Sequence, residues 1–319
     1  MIKVGIFGCG NLRAAELVRI LINHPDVELK WVRSNRWRGV RLDQIVPGIV
    51  GECDLEAVDL NARADEIDVV FLCDDRVSSA SQLKSLDLPD GVRIIDLSGS
   101  HNHDHGIDKP WSYGMGEMQR RVLVHDSRLV TVPGSAAMAS LLAVMPLARN
   151  QMLNSPLTLH VAVGMSALAS DGGTIDGMDL DAFARDQEQE VQMALQQCQP
   201  GFDQPLTLTV TPLAERRTLA VAARMECGID GEMIRQLYEQ YYDDHNFVFM
   251  VDRPIVTADV ENTNKCLISL DKDESNRVLT IHAVMDVLLK GSAGTAVHIM
   301  NLMFGLHERV GLTLKGTGC

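Results

Sequence analysis

The sequence of 319 residues predicts an α/β protein in which a doubly wound parallel sheet is combined with a second, α+β domain. Three features predict this fold. The first half alternates short apolar runs with helical periods, a glycine-rich turn follows the first run, and the middle of the chain changes to alternating strands separated by long helices. Wholly apolar strands are typical of parallel sheets, because crossover helices cover both of their faces.

The first half contains the strands of the parallel sheet. They are predicted at Lys3–Phe7, Val27–Val32, Asp68–Cys73, Val92–Leu97 and Leu129–Val132. The segment Arg13–Ile22 carries Leu17, Ile20 and Leu21 on one face, which predicts the helix between the first two strands. After the last strand, Ala136–Ala148 is rich in alanine and leucine and is strongly helical.

The middle of the chain is expected to form the α+β domain. Its predicted strands are Leu157–Val163, Leu206–Thr211, Leu219–Met225, Phe247–Val251, Cys266–Leu270 and Val278–Val284, and its predicted helices are Asp181–Gln197 and Gly231–Tyr242. The last predicted helix is the apolar segment Ser292–Gly305. We expect the first domain to comprise residues 1–137 together with the C-terminal segment 290–319, and the second domain to comprise residues 138–289.

Composition limits the partners and the compartment. The net charge of −14 argues against nucleic acid, because a phosphate backbone requires a basic surface, so we expect a small-molecule substrate. No apolar run reaches membrane-spanning length. The first residues are predicted to form a core strand, so we expect no signal peptide. The seven cysteines include no C-x-x-C pair, which favours reduced thiols and a cytoplasmic protein. We expect neither a membrane partner nor a bound metal.

The glycine-rich turn predicts a dinucleotide site of the Rossmann type. Gly8 and Gly10 lie between the first strand and the first helix, where backbone amides can approach a pyrophosphate at the helix N-terminus. We expect contacts from these glycines and from Asn11 and Leu12, which follow them. The alternative is a tight structural turn without a ligand.

The end of the second strand predicts the choice of cofactor. An NAD-selective site normally has an acidic residue here for the ribose hydroxyls, and this chain has none. Arg33, Ser34 and Arg36 are instead suited to a 2′-phosphate, so NADP is expected and NAD is possible. A solvated basic loop is the alternative.

Two long stretches resemble N-acetyl-gamma-glutamyl-phosphate reductase, a family of the semialdehyde dehydrogenase superfamily. They are Met1–Gly8 with its continuation to Pro25, and Asp286–Gly294 with its continuation to Leu306. The resemblance implies a Rossmann-type cofactor domain with an inserted dimerisation domain, and a homodimer or homotetramer. It also implies cofactor contacts from the strand ends and from the second stretch, at Cys73, Ser98, Lys290 and Gly291.

The chain departs from the resembled family at the reacting atom. The family's nucleophile is a cysteine in a Pro-Gly-Cys motif at a strand-to-helix turn, and Pro133-Gly134-Ser135 stands here instead. A serine hydroxyl is far less acidic than a thiol and needs an adjacent base. Ser135 is therefore a helix cap, a substrate contact or a nucleophile.

A second departure concerns the family's acid/base histidine, which lies in a Gly-His-Arg-His-x-Pro-Glu segment. Matching Ala182–Glu188 to this segment puts Arg185 in the histidine's place. An arginine cannot shuttle protons, but it can hold a carboxylate or a phosphate with two hydrogen bonds. An exposed charge on the helix is the alternative.

Two other groups are candidates for a chemical role. Cys73 ends a strand beside the expected cofactor crevice and is a possible displaced nucleophile, although buried structural thiols are much commoner. His101, His103 and His105 alternate in a loop, where they are either metal ligands or ordinary exposed histidines.

The predicted function is an NADP-dependent oxidoreductase resembling the family, with altered or lost thiolate chemistry. The alternative is a non-catalytic paralogue that binds a nucleotide or regulates a partner.

Overall fold

The structure is a computed structural model. It describes residues 1–34, 36–46, 48–59, 66–85, 88–106, 108–164, 179–214, 217–273, 275 and 277–316. The described chain divides into two compact units. The first contains Met1–Pro133 and Ser292–Thr313, and the second contains the described residues between Gly134 and Gly291 and from Leu314 to Gly316.

A parallel sheet forms the centre of the first unit. Its strands within the described residues are β1 (Ile2–Phe7), β2 (Val27–Arg33), β3 (Ala57–Val58), β4 (Val69–Leu72), β5 (Arg93–Asp96), β6 (Ser112–Tyr113) and β7 (Leu129–Thr131). Their order is β3-β2-β1-β4-β5-β7-β6, and every neighbouring pair is parallel. The chain therefore reverses its direction of strand addition between β1 and β4, which is the position where doubly wound sheets bind ligands.

Helices cover this sheet. They are α1 (Leu12–Leu21), α2 (Leu42–Ile45), α3 (Arg76–Ser85), α4 (Gly116–His125) and the C-terminal helix, Gly294–Met303. The C-terminal helix packs against α1 and α4, so the end of the chain completes the first unit. Phe7, Trp31, Val70, Leu72 and Ile94 belong to one buried cluster on the sheet, which is why these strands read as continuous apolar runs.

The second unit is built on a mixed sheet. Its strands are β8 (Leu157–Gly164), β9 (Leu206–Leu213), β10 (Thr218–Glu226), β11 (Val248–Met250), β12 (Cys266–Lys272) and β13 (Val278–Asp286), in the order β11-β12-β13-β10-β8-β9. The helices described in this unit are α5 (Ser135–Arg149), α6 (Leu180–Cys198) and α7 (Gly231–Tyr242), and the C-terminal helix of the first unit is accordingly α8. Helix α5 packs on four strands of the sheet and on both other helices.

Helix α5 contains Pro146 and is nevertheless buried along almost its whole length. A proline has no backbone N–H, so the carbonyl of Leu142, one turn earlier, loses its intrahelical partner. The hydroxyl of Tyr242 on α7 donates to that carbonyl, and the hydroxyl of Tyr238 donates to the carbonyl of Ala143 at 2.6 Å. The two tyrosines therefore supply α5 with hydrogen bonds from outside the helix.

The predicted fold class is confirmed. The predicted strands and helices are present, and their ends differ from the prediction by at most two residues; the final helix begins at Gly294. Residues Leu289–Ala293, just before it, form a π-helical turn. Within the described part of the chain, no helix has both the length and the apolarity needed to cross a membrane.

Candidate functional site

The glycine turn after β1 has the geometry of a close-approach loop. Gly8 has a φ of +89°, a left-handed conformation that favours glycine, and a Cβ there would lie 2.8 Å from the backbone nitrogen of Asp74. Asn11 caps α1 by accepting a hydrogen bond from the Ala14 amide at 2.9 Å. Leu12, the first helical residue, is exposed. The amides at this helix N-terminus are therefore presented at the carboxyl edge of the sheet.

The indole of Trp37 lies directly over Gly10. A Cβ at Gly10 would be 2.8 Å from the indole Nε1, so only glycine permits this approach. The Nε1–H is buried and has no hydrogen-bond acceptor within the described residues. An unused donor beside a glycine turn fits a ligand with acceptor oxygens, such as a phosphate or a ribose.

The residues predicted to choose the cofactor differ in accessibility. Arg33 is 2% exposed, and its guanidinium lies 4.3 Å from the Trp31 ring and 5.2 Å from the Phe7 ring. Burial lowers the pKa of Arg33, although an arginine remains charged. Ser34 is buried, whereas Arg36 is exposed with its guanidinium 5.1 Å from the Trp37 ring. Of the predicted residues, Arg36 is the one placed to meet a phosphate from solvent.

Cys73 and Ser98 both lie at strand ends beside the glycine turn. The carbonyl of Cys73 accepts a hydrogen bond from the Asn11 side chain at 2.5 Å. Its thiol is fully buried, which raises its pKa far above the ordinary value and makes the thiolate inaccessible at neutral pH. Burial of the Cys73 thiol therefore disfavours a role as a displaced nucleophile.

Asp96, the last residue of β5, is fully buried and accepts hydrogen bonds from two residues that follow it. One oxygen accepts from the amide and hydroxyl of Ser98 at 2.8 and 2.5 Å. The other accepts from the amide of His101 at 3.2 Å and pairs with its Nδ1 at 2.8 Å. The predicted cofactor residue Ser98 is thus tied to a buried carboxylate.

The remaining loop histidines do not form a metal site. His105 is buried against Tyr113, with a ring separation of 4.2 Å, and burial lowers its pKa to about 4. Among the described residues, no three His, Cys, Asp or Glu side chains are arranged to hold a metal ion.

In the second unit, Ser135 is the first residue of α5. Gly134 is the N-cap, and no side chain of the described residues caps this helix. Ser135 therefore follows the capping position, so helix capping does not account for it. Helix α5 is fifteen residues long, and its N-terminal amides face the turn that carries the Ser135 hydroxyl.

Two side chains of α6 hold this turn. Glu190 is fully buried, and one of its oxygens accepts from the Gly134 amide at 2.9 Å. Gln187 is 2% exposed, and its side-chain oxygen accepts from the Ala137 amide at 3.1 Å. A Cβ at Gly134 would lie 2.3 Å from that oxygen, so the glycine is needed for the contact.

Arg185 lies elsewhere on the same helix. Its side chain is 69% exposed and faces Asp179, which caps the helix, at 4.0 Å. The structure brings Gln187 and Glu190, rather than Arg185, to the Ser135 turn. Because the family segment has its glutamate three residues after the histidine, the pair Gln187 and Glu190 matches it as well as Arg185 and Glu188 do.

Lys290 and Gly291 follow β13 in the π-helical turn. A Cβ at Gly291 would lie 3.1 Å from the Ser135 Cβ, so this segment borders the turn. Lys290 is fully buried, with its ammonium 5.8 Å from the Phe247 ring. Asp286 fixes the segment, since its oxygens accept hydrogen bonds from four donors: the Arg217 guanidinium and the amides of Asn262, Leu288 and Leu289.

Sequence reasoning did not single out Trp37, Gln187 and Glu190 as site residues, and it weighed His101 only as a metal ligand. Trp37 and His101 carried a usable signal, because each follows a strand end at the carboxyl edge of a parallel sheet. Gln187 and Glu190 carried only the family spacing, which Arg185 and Glu188 share, and the orientation of these side chains depends on the packing of α6.

Comparison with known proteins gives two domain matches and full-length relatives. The semialdehyde dehydrogenase NAD-binding domain matches residues 3–125, and the semialdehyde dehydrogenase dimerisation domain matches residues 183–286. The N-acetyl-gamma-glutamyl-phosphate reductases of Parabacteroides distasonis and Phocaeicola vulgatus are 35% and 34% identical, and each alignment covers 99% of both chains.

Solved structures share the fold at low identity. Aspartate semialdehyde dehydrogenase II from Vibrio cholerae has a TM-score of 0.73 at 15% identity, covering 95% of this chain and 98% of the other. The aspartate semialdehyde dehydrogenase with NADP from Candida albicans has a TM-score of 0.71 at 13% identity, with coverages of 95% and 98%. The full-length relatives and both domain matches lead to one conclusion: this chain belongs to the N-acetyl-gamma-glutamyl-phosphate reductase family of the semialdehyde dehydrogenases.

Proposed function

We propose that the protein is an NADPH-dependent oxidoreductase that transfers hydride directly to the carbonyl or imine carbon of a small molecule, without a covalent thioester. The observation that carries this proposal is Ser135 at the turn where the family has its cysteine, with Gln187 and Glu190 as the side chains bonded to that turn. Direct transfer needs a nucleotide site and a proton source, but it needs no thiolate.

The residues of the first unit fit a dinucleotide. The turn at Gly8 and Gly10 leaves room that a Cβ would fill, and the N-terminal end of α1 would hold the pyrophosphate. Trp37 Nε1 would donate to the adenosine half. Arg36 would bind the 2′-phosphate that distinguishes NADPH from NADH. When bound, NADPH supplies the hydride.

Loss of the thiolate changes the reaction that the site supports. In the family a cysteine attacks an acyl phosphate and the resulting thioester is reduced, whereas an oxygen ester accepts hydride poorly. We propose that Gln187 replaces the family's histidine, so that its amide positions a group at the turn and does not move a proton. Ser135 then contacts the substrate through its hydroxyl, and we expect no reduction of N-acetyl-gamma-glutamyl phosphate at an enzymatic rate.

We also propose that the protein is a homodimer or a homotetramer assembled through the mixed sheet. His160, Ala222 and His282 lie side by side on three neighbouring strands, on a face of this sheet that is partly exposed. Thr211 and Val284 lie beside them. A second copy would cover this face. Light scattering at micromolar concentration tests the assembly, and a particle of 35 kDa would contradict it.

The cofactor proposal is tested by titrating NADPH and NADH against the wild type and two arginine variants. We expect NADPH to bind more tightly by about 1.5–3 kcal/mol, or roughly tenfold to hundredfold, because a hydrogen-bonded arginine–phosphate contact is charge-assisted. Arg36→Gln should remove most of this preference. Arg38→Gln is the matched control, since Arg38 is exposed in the same loop but is paired with Asp59 at 3.0 Å.

The reaction is tested by following NADPH oxidation with a panel of aldehydes, keto acids, imines and N-acetyl-gamma-glutamyl phosphate. Turnover with a carbonyl compound and none with the acyl phosphate is the expected result. Robust turnover with the acyl phosphate would overturn direct transfer. Tight NADPH binding with no turnover on any compound would favour a nucleotide-binding regulatory protein.

A further inference from the structure

His101 is held by a buried carboxylate in a way that leaves one ring nitrogen available. The amide and hydroxyl of Ser98 and the amide of His101 already donate to Asp96, so we assign the remaining contact, at 2.8 Å, to an N–H on the Nδ1 of His101. In that tautomer Nε2 is the ring nitrogen left to exchange a proton with a ligand.

The position of the ring is fixed as well. It stacks on Trp111 with a centroid separation of 4.0 Å and an interplanar angle of 17°. The side chain is 14% exposed. Within the described residues, Nε2 has no hydrogen-bond partner and is not one of the buried polar atoms that lack one, so it is open to solvent. An oriented imidazole with one accessible nitrogen has the geometry of a general acid or base.

The loop that carries His101 is bonded to both neighbouring loops at the cofactor edge. The Ser98 hydroxyl lies 2.6 Å from that of Ser100, which donates to the carbonyl of Arg76 at the start of α3 at 2.7 Å. Arg13 of α1, which follows the glycine turn, donates to the carbonyl of Leu97. The loops after β1, β4 and β5 thus form one bonded edge.

Strand register gives the distance between the glycine turn and Asp96. Phe7, the residue before Gly8, pairs with Leu72, and Leu72 pairs with Asp96. Asp96 is therefore two strand spacings, or about 10 Å, from the end of β1. A dinucleotide lies across the switch point, so one nucleoside half covers β2 and the other covers β4 and β5. With Arg36 binding the adenosine half at β2, the nicotinamide half extends toward His101.

We propose that His101 is the catalytic proton donor of the carbonyl reduction, with Asp96 as its positioning residue. This inference rests on the proposed function. The carbonyl π bond would break as the new C–H and O–H bonds form, with bound NADPH supplying the hydride to carbon and Nε2 of His101 supplying the proton to oxygen. The carbonyl compound is reduced to an alcohol, NADPH is oxidised to NADP⁺, and the imidazole regains a proton from water.

The placement of His101 can be tested without a substrate by chemical modification. Diethyl pyrocarbonate acylates accessible neutral imidazoles, and peptide mass mapping reports each histidine separately. With NADPH at ten times its dissociation constant, modification of His101 should slow by about tenfold, because only the nucleotide-free fraction reacts. His125, an exposed histidine at the end of α4, is the internal control and should react at an unchanged rate. Equal rates at His101 with and without bound NADPH would overturn the placement.

Its role is tested with His101→Asn, whose amide can still donate to Asp96 but cannot transfer a proton. Replacing Asp96 itself is avoided, because the loss of four hydrogen bonds would disturb the loop. We expect kcat for carbonyl reduction to fall by about 100-fold or more, with NADPH affinity within about twofold of the wild type. His125→Gln should leave both quantities unchanged.

The outcomes separate the two proposals. If NADPH binds and His101→Asn reduces the carbonyl compound as fast as the wild type, the assignment of His101 fails and the proposed function stands. If the wild type binds NADPH but reduces nothing, both the reaction and the proton donor are rejected. If NADPH does not bind, the proposed function fails at the cofactor.

Discussion

Removing the Tyr242 hydroxyl should destabilise the second unit far more than removing the hydroxyl of its neighbour. Tyr242 is 4% exposed, and its hydroxyl donates to the Leu142 carbonyl, which has no intrahelical amide because Pro146 stands one turn later. In Tyr242→Phe that carbonyl is buried without a donor. Tyr238→Phe is the matched control, since the Ala143 carbonyl keeps the amide of Leu147 expected of a regular helix.

The magnitudes follow from what each carbonyl retains. A buried polar group left without a partner costs about 1–3 kcal/mol, whereas losing one hydrogen bond from a group that keeps another costs about 0.5–1.5 kcal/mol. Because phenylalanine keeps the ring, neither variant opens a large cavity. Tyr242→Phe should therefore lower the free energy of unfolding more than Tyr238→Phe does.

The assay is urea unfolding followed by far-ultraviolet circular dichroism, at one protein concentration for the wild type and both variants. Comparing midpoints at a common slope isolates the change in stability. If Tyr242→Phe were as stable as the wild type, or no less stable than Tyr238→Phe, the view that Tyr242 compensates for Pro146 would be refuted.

The remaining predictions concern the two site regions and the C-terminal segment. Ser135→Cys alone should give little reduction of N-acetyl-gamma-glutamyl phosphate. Adding Gln187→His should raise the NADPH oxidation rate by about 100-fold over the single variant. Equal rates for the two variants would show that the position of Gln187 at the Ser135 turn is irrelevant to this reaction. Asp74→Asn should tighten NADPH binding by about threefold, because the Asp74 carboxyl carbon lies 3.2 Å from the Cβ position of Gly8; a fluorescence titration with unchanged affinity would contradict this. Burial raises the pKa of Glu308, but the hydrogen bond from His298 at 2.6 Å and the charges of His298 and Arg120 together outweigh it, so the net pKa is lowered. This stabilisation is present above the unfolded value of 4.5 and is lost as the pH falls through the folded value, so Glu308→Gln should lower the melting temperature at pH 7 and approach the wild type in acid.

Much of the fold was predictable because its strands are apolar for a simple reason. Strands such as β4 are buried on both faces, so the sequence there is an unbroken apolar run. The two-residue strand β6 and the helix α3 have no such pattern: β6 is too short for a period, and α3 is rich in serine with little apolar content on any face. Their existence depends on the sheet and loops that surround them.

The candidate site was predictable only where a backbone shape was required. Gly8 and Gly134 are recognisable from residue type, because a Cβ would lie 2.8 Å from the Asp74 backbone nitrogen at Gly8 and 2.3 Å from the Gln187 side-chain oxygen at Gly134. Arg185 shows where prediction from sequence fails. It and Gln187 are two residues apart, each with a glutamate three residues later, and only the packing of α6 decides which of them faces the turn.

The tryptophan over the glycine turn has a spectroscopic consequence. All three tryptophans of the chain, Trp31, Trp37 and Trp111, belong to the first unit, and the second unit contains Tyr238, Tyr241 and Tyr242 instead. Indole emission therefore reports on the cofactor unit alone, and the emission of Trp37 in particular should change when a nucleotide reaches Gly10. Three of the four tyrosines lie in the second unit and Tyr113 lies in the first, so tyrosine signals report on both units and indole emission alone separates the unfolding of the first unit.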